Sequence, residues 1–322
     1  MLRNACIAVI CLMAFMVTIA NAQTKPVGSG PYPAIIEGDP GIPGQTIYRP
    51  EDLSPFNKNN PLPVLAWGNG ACMNSNTFYA PFLAEIASQG FLVVAIGPYK
   101  EGSPSPGGGP GSGMMGGDMG GTKSAQLLEA LDWATAENAR RDSKYYQKLD
   151  PSKFAVAGHS CGGLQALEVS AYPRVKTTLV MDSGIFTGGM PKMPPRKTGA
   201  PKAGAPKRGG MMMAMPMLKK DYLKKLHAPV VYIDGGEKDI AYANGVDDFA
   251  KIDKVPVAIA HFDDVGHGGT YARPNGGAFG KVAEAWLKWQ LKGDATAEKM
   301  FAGPECGLCR DTQWKFEKKR IP

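Results

Sequence analysis

The run Gly158-His159-Ser160-Cys161-Gly162 spells G-x-S-x-G and occurs once in the 322-residue chain. A serine hydroxyl becomes a nucleophile only beside a base that takes its proton, so this run needs partners elsewhere. Glycine two positions either side of Ser160 permits a sharp strand-to-helix turn, because side chains there would strike neighbouring elements. The apolar stretch 153–157 precedes the turn and a helical stretch, 161–171, follows it, placing Ser160 at the positive end of that helix. Of the four histidines, His159 lies inside the turn, His227 precedes a strand and His261 falls within one. His267, in Gly266-His267-Gly268-Gly269, stands just past the last parallel strand and follows the nucleophile in the order a base should.

A base of this kind needs a carboxylate to fix its tautomer and to stabilise its charged form. Asp239 sits a few residues past the strand at 229–233, far enough along its loop to swing over the histidine. Asp182, which ends the strand at 175–181, is the alternative acid. Attack on a carbonyl creates an oxyanion, and fixed backbone N–H donors must receive it. The amide of Cys161 is one, directly after the nucleophile. The other is expected in Trp67-Gly68-Asn69-Gly70, from Asn69 with Gly70 next. These motifs require neither a cofactor nor a metal.

Such residues meet only if a sheet carries them to one rim. Near-continuous apolar runs at 62–67, 91–96, 153–157, 175–181, 229–233 and 255–262 read as buried strands. Helical patterns at 77–88, 122–139, 161–171 and 280–291 separate them, the last with Val282, Ala285, Trp286 and Trp289 on one stripe. Strands of this kind alternating with helices predict an α/β fold, a mostly parallel sheet covered on both faces. Short antiparallel strands at 34–36 and 45–48 precede it.

With these residues in that order, the chain resembles the α/β-hydrolase superfamily over most of residues 30–295. Gly158-His-Ser-Cys-Gly-Gly163, Trp67-Gly-Asn-Gly70 and Glu237-Lys-Asp239 look most like its secreted branch of polyester hydrolases, chlorophyllase-like esterases and platelet-activating-factor acetylhydrolase-like enzymes. The resemblance implies an eight-stranded, mainly parallel sheet and acyl transfer through Ser160, His267 and Asp239. The expected activity is carboxylic ester hydrolysis on a small-molecule or polymeric ester. Peptidase or thioesterase chemistry on the same triad is the nearest alternative. Two departures stand out: the His-Gly-Gly-Gly form of the oxyanion loop is absent, and Asn69 replaces the aromatic residue of many polyester hydrolases.

The remaining features bear on compartment and partners. Arg3, an apolar run over 6–20 and Ala20-Asn21-Ala22 read as an export signal cleaved after Ala22, giving a secreted or periplasmic protein from residue 23 onward. That leaves Cys72, Cys161, Cys306 and Cys309, whose pairing the sequence does not choose. At 43% hydrophobic and 20% charged, the composition supports a packed core and excludes wholesale disorder. One α/β domain is expected, with flexible insertions at 102–121 and 187–217 and a Cys-containing extension at 296–322. The net charge of +7 is concentrated in residues 190–225, which carry +9 and leave −2 for the rest. Those cations lie among Pro, Gly and Met rather than on ordered elements with base-reading side chains, which argues against nucleic acid and for at most weak contact with an anionic envelope surface. Methionines at 114, 115, 119, 211, 212, 213, 215 and 217 allow a second reading, soft-metal binding by thioethers.

Overall fold

A computed structural model describes residues 23–100, 121–188 and 215–322. The expected export signal over 1–22, nearly all of the first expected insertion and most of the second lie outside the described residues, and with them all of the clustered methionines except Met215 and Met217.

The strands are β1 (Gln23–Val27), β2 (Ala34–Glu37), β3 (Gln45–Pro50), β4 (Leu62–Gly68), β5 (Leu92–Ile96), β6 (Leu149–His159), β7 (Val175–Met181), β8 (Val230–Asp234), β9 (Val257–Phe262) and β10 (Trp314–Lys319). Among the described residues these ten form one sheet, ordered β1-β2-β3-β5-β4-β6-β7-β8-β9-β10. From β5 through β9 every pairing is parallel. The β1, β2 and β3 edge and the β10 edge are antiparallel. The expected eight-stranded sheet is therefore β2 to β9, extended by one strand at each edge. Neither addition is a continuous apolar run: β1 contains Lys25 and Pro26, and β10 carries four charged residues among six.

The helices are α1 (Ala80–Ser88), α2 (Ala125–Ala139), α3 (Cys161–Val169), α4 (Tyr242–Lys251) and α5 (Gly277–Leu287), with two single turns, α6 (Ala295–Glu298) and α7 (Gly307–Arg310). Alternation along the strands sorts the core into two layers. Leu65, Trp67, Ala155, Ala157, Leu179 and Met181 face α1 and α5. Val64, Ala66, Phe154, Val156 and Val180, from the same strands, face the side that holds α2, α3 and α4. Both faces of the strands are thus closed, as their continuous apolar character requires. The Trp286 indole of α5 donates to Thr177 Oγ1 on β7 at 2.7 Å, which pins that helix in register.

The parallel register then sets the site. Gly68 pairs with Gly158, His159 with Met181, and Asp234 with His261. The loops leaving β4, β6, β7, β8 and β9 emerge at one rim, so Asn69, Ser160, Asp182, Asp239 and His267 come together there from five separate strands.

Candidate active site

Ser160 occupies a backbone conformation with φ 52° and ψ −114°, disfavoured for any residue with a Cβ. Such a conformation costs on the order of 1–3 kcal/mol and persists only where the surroundings over-determine it. Here they do. The Ser160 amide donates to Met181 O at 2.9 Å, and Ser160 O accepts from Ser183 Oγ at 2.7 Å and from the Gly163 amide at 3.0 Å. The flanking glycines let the chain close on itself. A Cβ on Gly162 would stand 2.1 Å from Gly68 O, and one on Gly158 would stand 2.3 Å from the Gly162 carbonyl carbon. Both distances are far inside van der Waals contact, so the spacing of the G-x-S-x-G run is a steric requirement of this turn.

The sequence-expected residues form one hydrogen-bonded line. His267 Nε2 lies 2.9 Å from Ser160 Oγ, and His267 Nδ1 lies 2.5 Å from Asp239 Oδ1. Asp239 Oδ1 also accepts the Ala241 amide at 2.8 Å. Burial alone would raise the Asp239 pKa, but hydrogen bonding and charge interaction with His267 outweigh it and hold the carboxyl below its usual range. Asp239 is therefore an ionised acceptor for the imidazole. The alternative acid, Asp182, makes no bond to His267. It lies fully buried behind Asp239, accepting the Gly235 amide at 3.0 Å and the Tyr271 hydroxyl at 2.6 Å.

The loop after β4 packs against the start of α3. Asn69 is fully buried and its side chain turns inward: Oδ1 accepts from the Trp67 indole at 3.1 Å, while Nδ2 donates to Met73 O at 2.9 Å and Ile96 O at 2.7 Å. The side chain thereby fixes the loop and offers nothing to a substrate. The Asn69 amide nitrogen abuts the Gly162 backbone, one residue beyond Cys161. The Gly70 amide, the next donor expected along the loop, is already taken by Tyr79 Oη at 2.9 Å.

Sequence reasoning did not find three supports of this rim. The first is a disulfide, Cys72–Cys161, which joins the loop after β4 to the residue following Ser160; a second bridge is Cys306–Cys309. The second is His159. Burial and the neighbouring His267 push its pKa down to about 3, so the ring is neutral. Because Tyr79 Oη accepts the Gly70 N–H, its own proton goes to His159 Nδ1 at 2.8 Å. His159 Nε2–H then donates to His267 O at 2.9 Å, holding the backbone of His267. The third is Tyr271, four residues past His267, whose ring packs against Tyr79 and His159 with centroids 5.3 and 5.1 Å away. Two cysteines flanking the expected donors were the only readable signal; the tyrosines lie too far from Ser160 in sequence to announce themselves. Among the described residues, no group of three or more His, Cys, Asp or Glu side chains is arranged to hold a metal ion.

A doubly covered parallel sheet, with a strained serine after β6 and acid and histidine on the loops after β8 and β9, defines an α/β hydrolase. Residues 34–182 match the model of a family described as PETase, PET hydrolase-like. Over that stretch, from β2 to the residue after β7, the chain is similar to this family of ester-hydrolysing polyester hydrolases. The match includes Asn69, Ser160, Cys161 and Asp182, while Asp239 and His267 lie beyond it. No curated protein matches the chain.

Proposed function

We propose that this hydrolase is an exported serine esterase that cleaves carboxylic esters through a covalent acyl-enzyme on Ser160. The observation that carries the reading is the pair of contacts on one imidazole, Ser160 Oγ on Nε2 and Asp239 Oδ1 on Nδ1. With Nδ1–H donated to the carboxylate, Nε2 has its lone pair free to take the serine proton as Oγ attacks the ester carbonyl. Asp239 holds the resulting imidazolium. The amides of Cys161 and Asn69 receive the oxyanion, the imidazolium returns its proton to the departing alkoxide, and the alcohol leaves. Water, activated by the same histidine, then attacks the acyl-enzyme and releases the acid.

The similarity to the PET hydrolase-like family supports an ester over an amide or a thioester. The inward-turned Asn69 leaves the oxyanion loop without the aromatic side chain that many polyester hydrolases present, which favours small esters over polymer chains. Two bridges among the four cysteines support an oxidising, exported location, as expected from the N-terminal signal. In the basic insertion, weak electrostatic contact with an anionic surface remains the partner proposal.

Turnover of short-chain aryl esters by the wild type, S160A and H267A tests the reading. Both variants should lose at least about a thousandfold in kcat while keeping the native circular dichroism spectrum. A parallel panel of anilides and thioesters should show ester turnover well ahead of both. Undiminished turnover in S160A would discard the mechanism, and faster anilide or thioester cleavage would move the substrate class.

A further inference from the structure

A second carboxyl stands directly behind the first. Asp239 directs Oδ1 to His267, while its Oδ2 is buried with no N–H donor aimed at it. What faces Asp239 instead is the side chain of Asp182, within hydrogen-bonding reach. Two ionised carboxylates cannot share a buried contact without a cation between them, and neither could donate to the other. Among the described residues no Lys or Arg pairs with Asp182. The nearest ring nitrogen, His159 Nε2 at 3.8 Å, already gives its proton to His267 O.

We propose, building on the Ser160–His267–Asp239 reading, that Asp182 is a neutral carboxylic acid in the resting enzyme and donates its proton to Asp239 Oδ2, acting as a positioning residue for the catalytic carboxylate. Every carboxyl oxygen of the pair is then accounted for. Asp182 accepts the Gly235 amide on Oδ1 and the Tyr271 hydroxyl on Oδ2, and its proton satisfies the remaining oxygen of Asp239. Burial and the adjacent charge of Asp239 push the Asp182 pKa well above the carboxylate range, in the same direction. The pair carries one negative charge. That charge stays on Asp239, where the imidazolium forms, and the Asp239 carboxylate is held from both ends.

The backbone at Asp182 fits a dedicated role. Its φ of 42° is left-handed, a conformation Asn and Asp tolerate better than other side chains, and its amide is fixed to Ile233 O at 2.8 Å. Asn at this position keeps the backbone, the shape and a donor toward Asp239, but it can never carry the negative charge.

The test compares D182A, D182N and D239N. D182A should lower kcat about tenfold with KM little changed, because a donor is lost and substrate contacts are not. D182N should recover most of that loss, whereas D239N should fall by about 10³-fold or more. The infrared spectrum of the native protein above pH 7 should show a protonated-carboxyl carbonyl band that D182N removes. This readout needs no turnover, and the native spectrum can be recorded even if a variant does not fold. The proposal is overturned if D182N is as impaired as D239N, or if the native protein shows no such band. Failure of the esterase reading would instead appear as retained turnover in S160A, so the two outcomes are separable.

Discussion

Cys161, the residue after Ser160, is covalently bonded to Cys72, four residues past the end of β4 and on the loop proposed to supply the second oxyanion donor. The two walls of the proposed oxyanion site thus come from segments 89 residues apart and are tied by a single bridge. An oxyanion hole works by being fixed before the reaction, so a tie at this point bears on rate as well as on folding.

Breaking the bridge should therefore affect catalysis and stability together. A C72A/C161A double variant should lose about 3–4 kcal/mol of stability, the range expected for a long closed loop. At a temperature where it remains folded, kcat should fall about tenfold with KM nearly constant. Denaturant melts and steady-state kinetics, with and without a phosphine reductant, measure both. Unchanged kcat in the folded double variant would assign the bridge to stability alone.

Gly162→Ala tests the packing of the turn. The added methyl would meet Gly68 O at 2.1 Å, and backbone cannot step aside as a flexible side chain can. A loss of about 3 kcal/mol or more is expected, together with loss of esterase activity even in the folded fraction. Thermal denaturation and aryl ester turnover would show it. A melting temperature within a degree of wild type would contradict the close contact.

Far from the site, Glu37 should set the acid limit of stability. Burial pulls its pKa up, but Arg49 bonds both its oxygens at 2.8 and 3.0 Å, and Lys144 and Tyr145 add bonds at 2.6 and 2.7 Å. The net result is a pKa of about 2, below the ordinary 4.5. A depressed pKa contributes stability that is complete above 4.5 and is lost as pH falls toward 2. With half-exposed Lys144 partly screened by solvent, about 2 kcal/mol is at stake. E37Q should be weaker than wild type at pH 7, and in urea midpoints the gap should narrow below pH 4.5 and close only near pH 2. Parallel pH dependence of the two proteins would refute the assignment.

Tyr79→Phe probes the polar chain under the base. It removes the acceptor of the Gly70 amide and the donor to His159 Nδ1, leaving two buried groups without partners. A cost of about 2–3 kcal/mol follows. The first-order rate of Ser160 phosphonylation should also drop, because His159 no longer has a defined tautomer to hold His267 O. Equal labelling rates would separate this chain from catalysis.

Much of this was legible in the sequence because the relevant signals are local. Strands β4 to β9 each contain a near-continuous apolar run, the mark of a buried parallel strand. The preference for Asp239 over Asp182 rested on loop reach past the strand end, and His267 pairs with Asp239. What escaped is either amphipathic or distant. Strand β10 reads as a charged tail until β9 provides its partner, and Tyr79, Tyr271 and Cys72 acquire roles only when the sheet brings them beside Ser160. The carboxyl of Asp182 was visible as a rival acid, but its place behind Asp239 depends on the β7–β8 register, which no spacing in the chain encodes.

The central claim is that Ser160 is an activated nucleophile, and covalent capture tests it most directly. Incubation of the wild type with a fluorophosphonate, followed by peptide mass mapping, should find one adduct, on Ser160. Labelling should be absent in S160A and slowed at least about a hundredfold in H267A. An adduct on another residue, or labelling of H267A at the wild-type rate, would contradict the account.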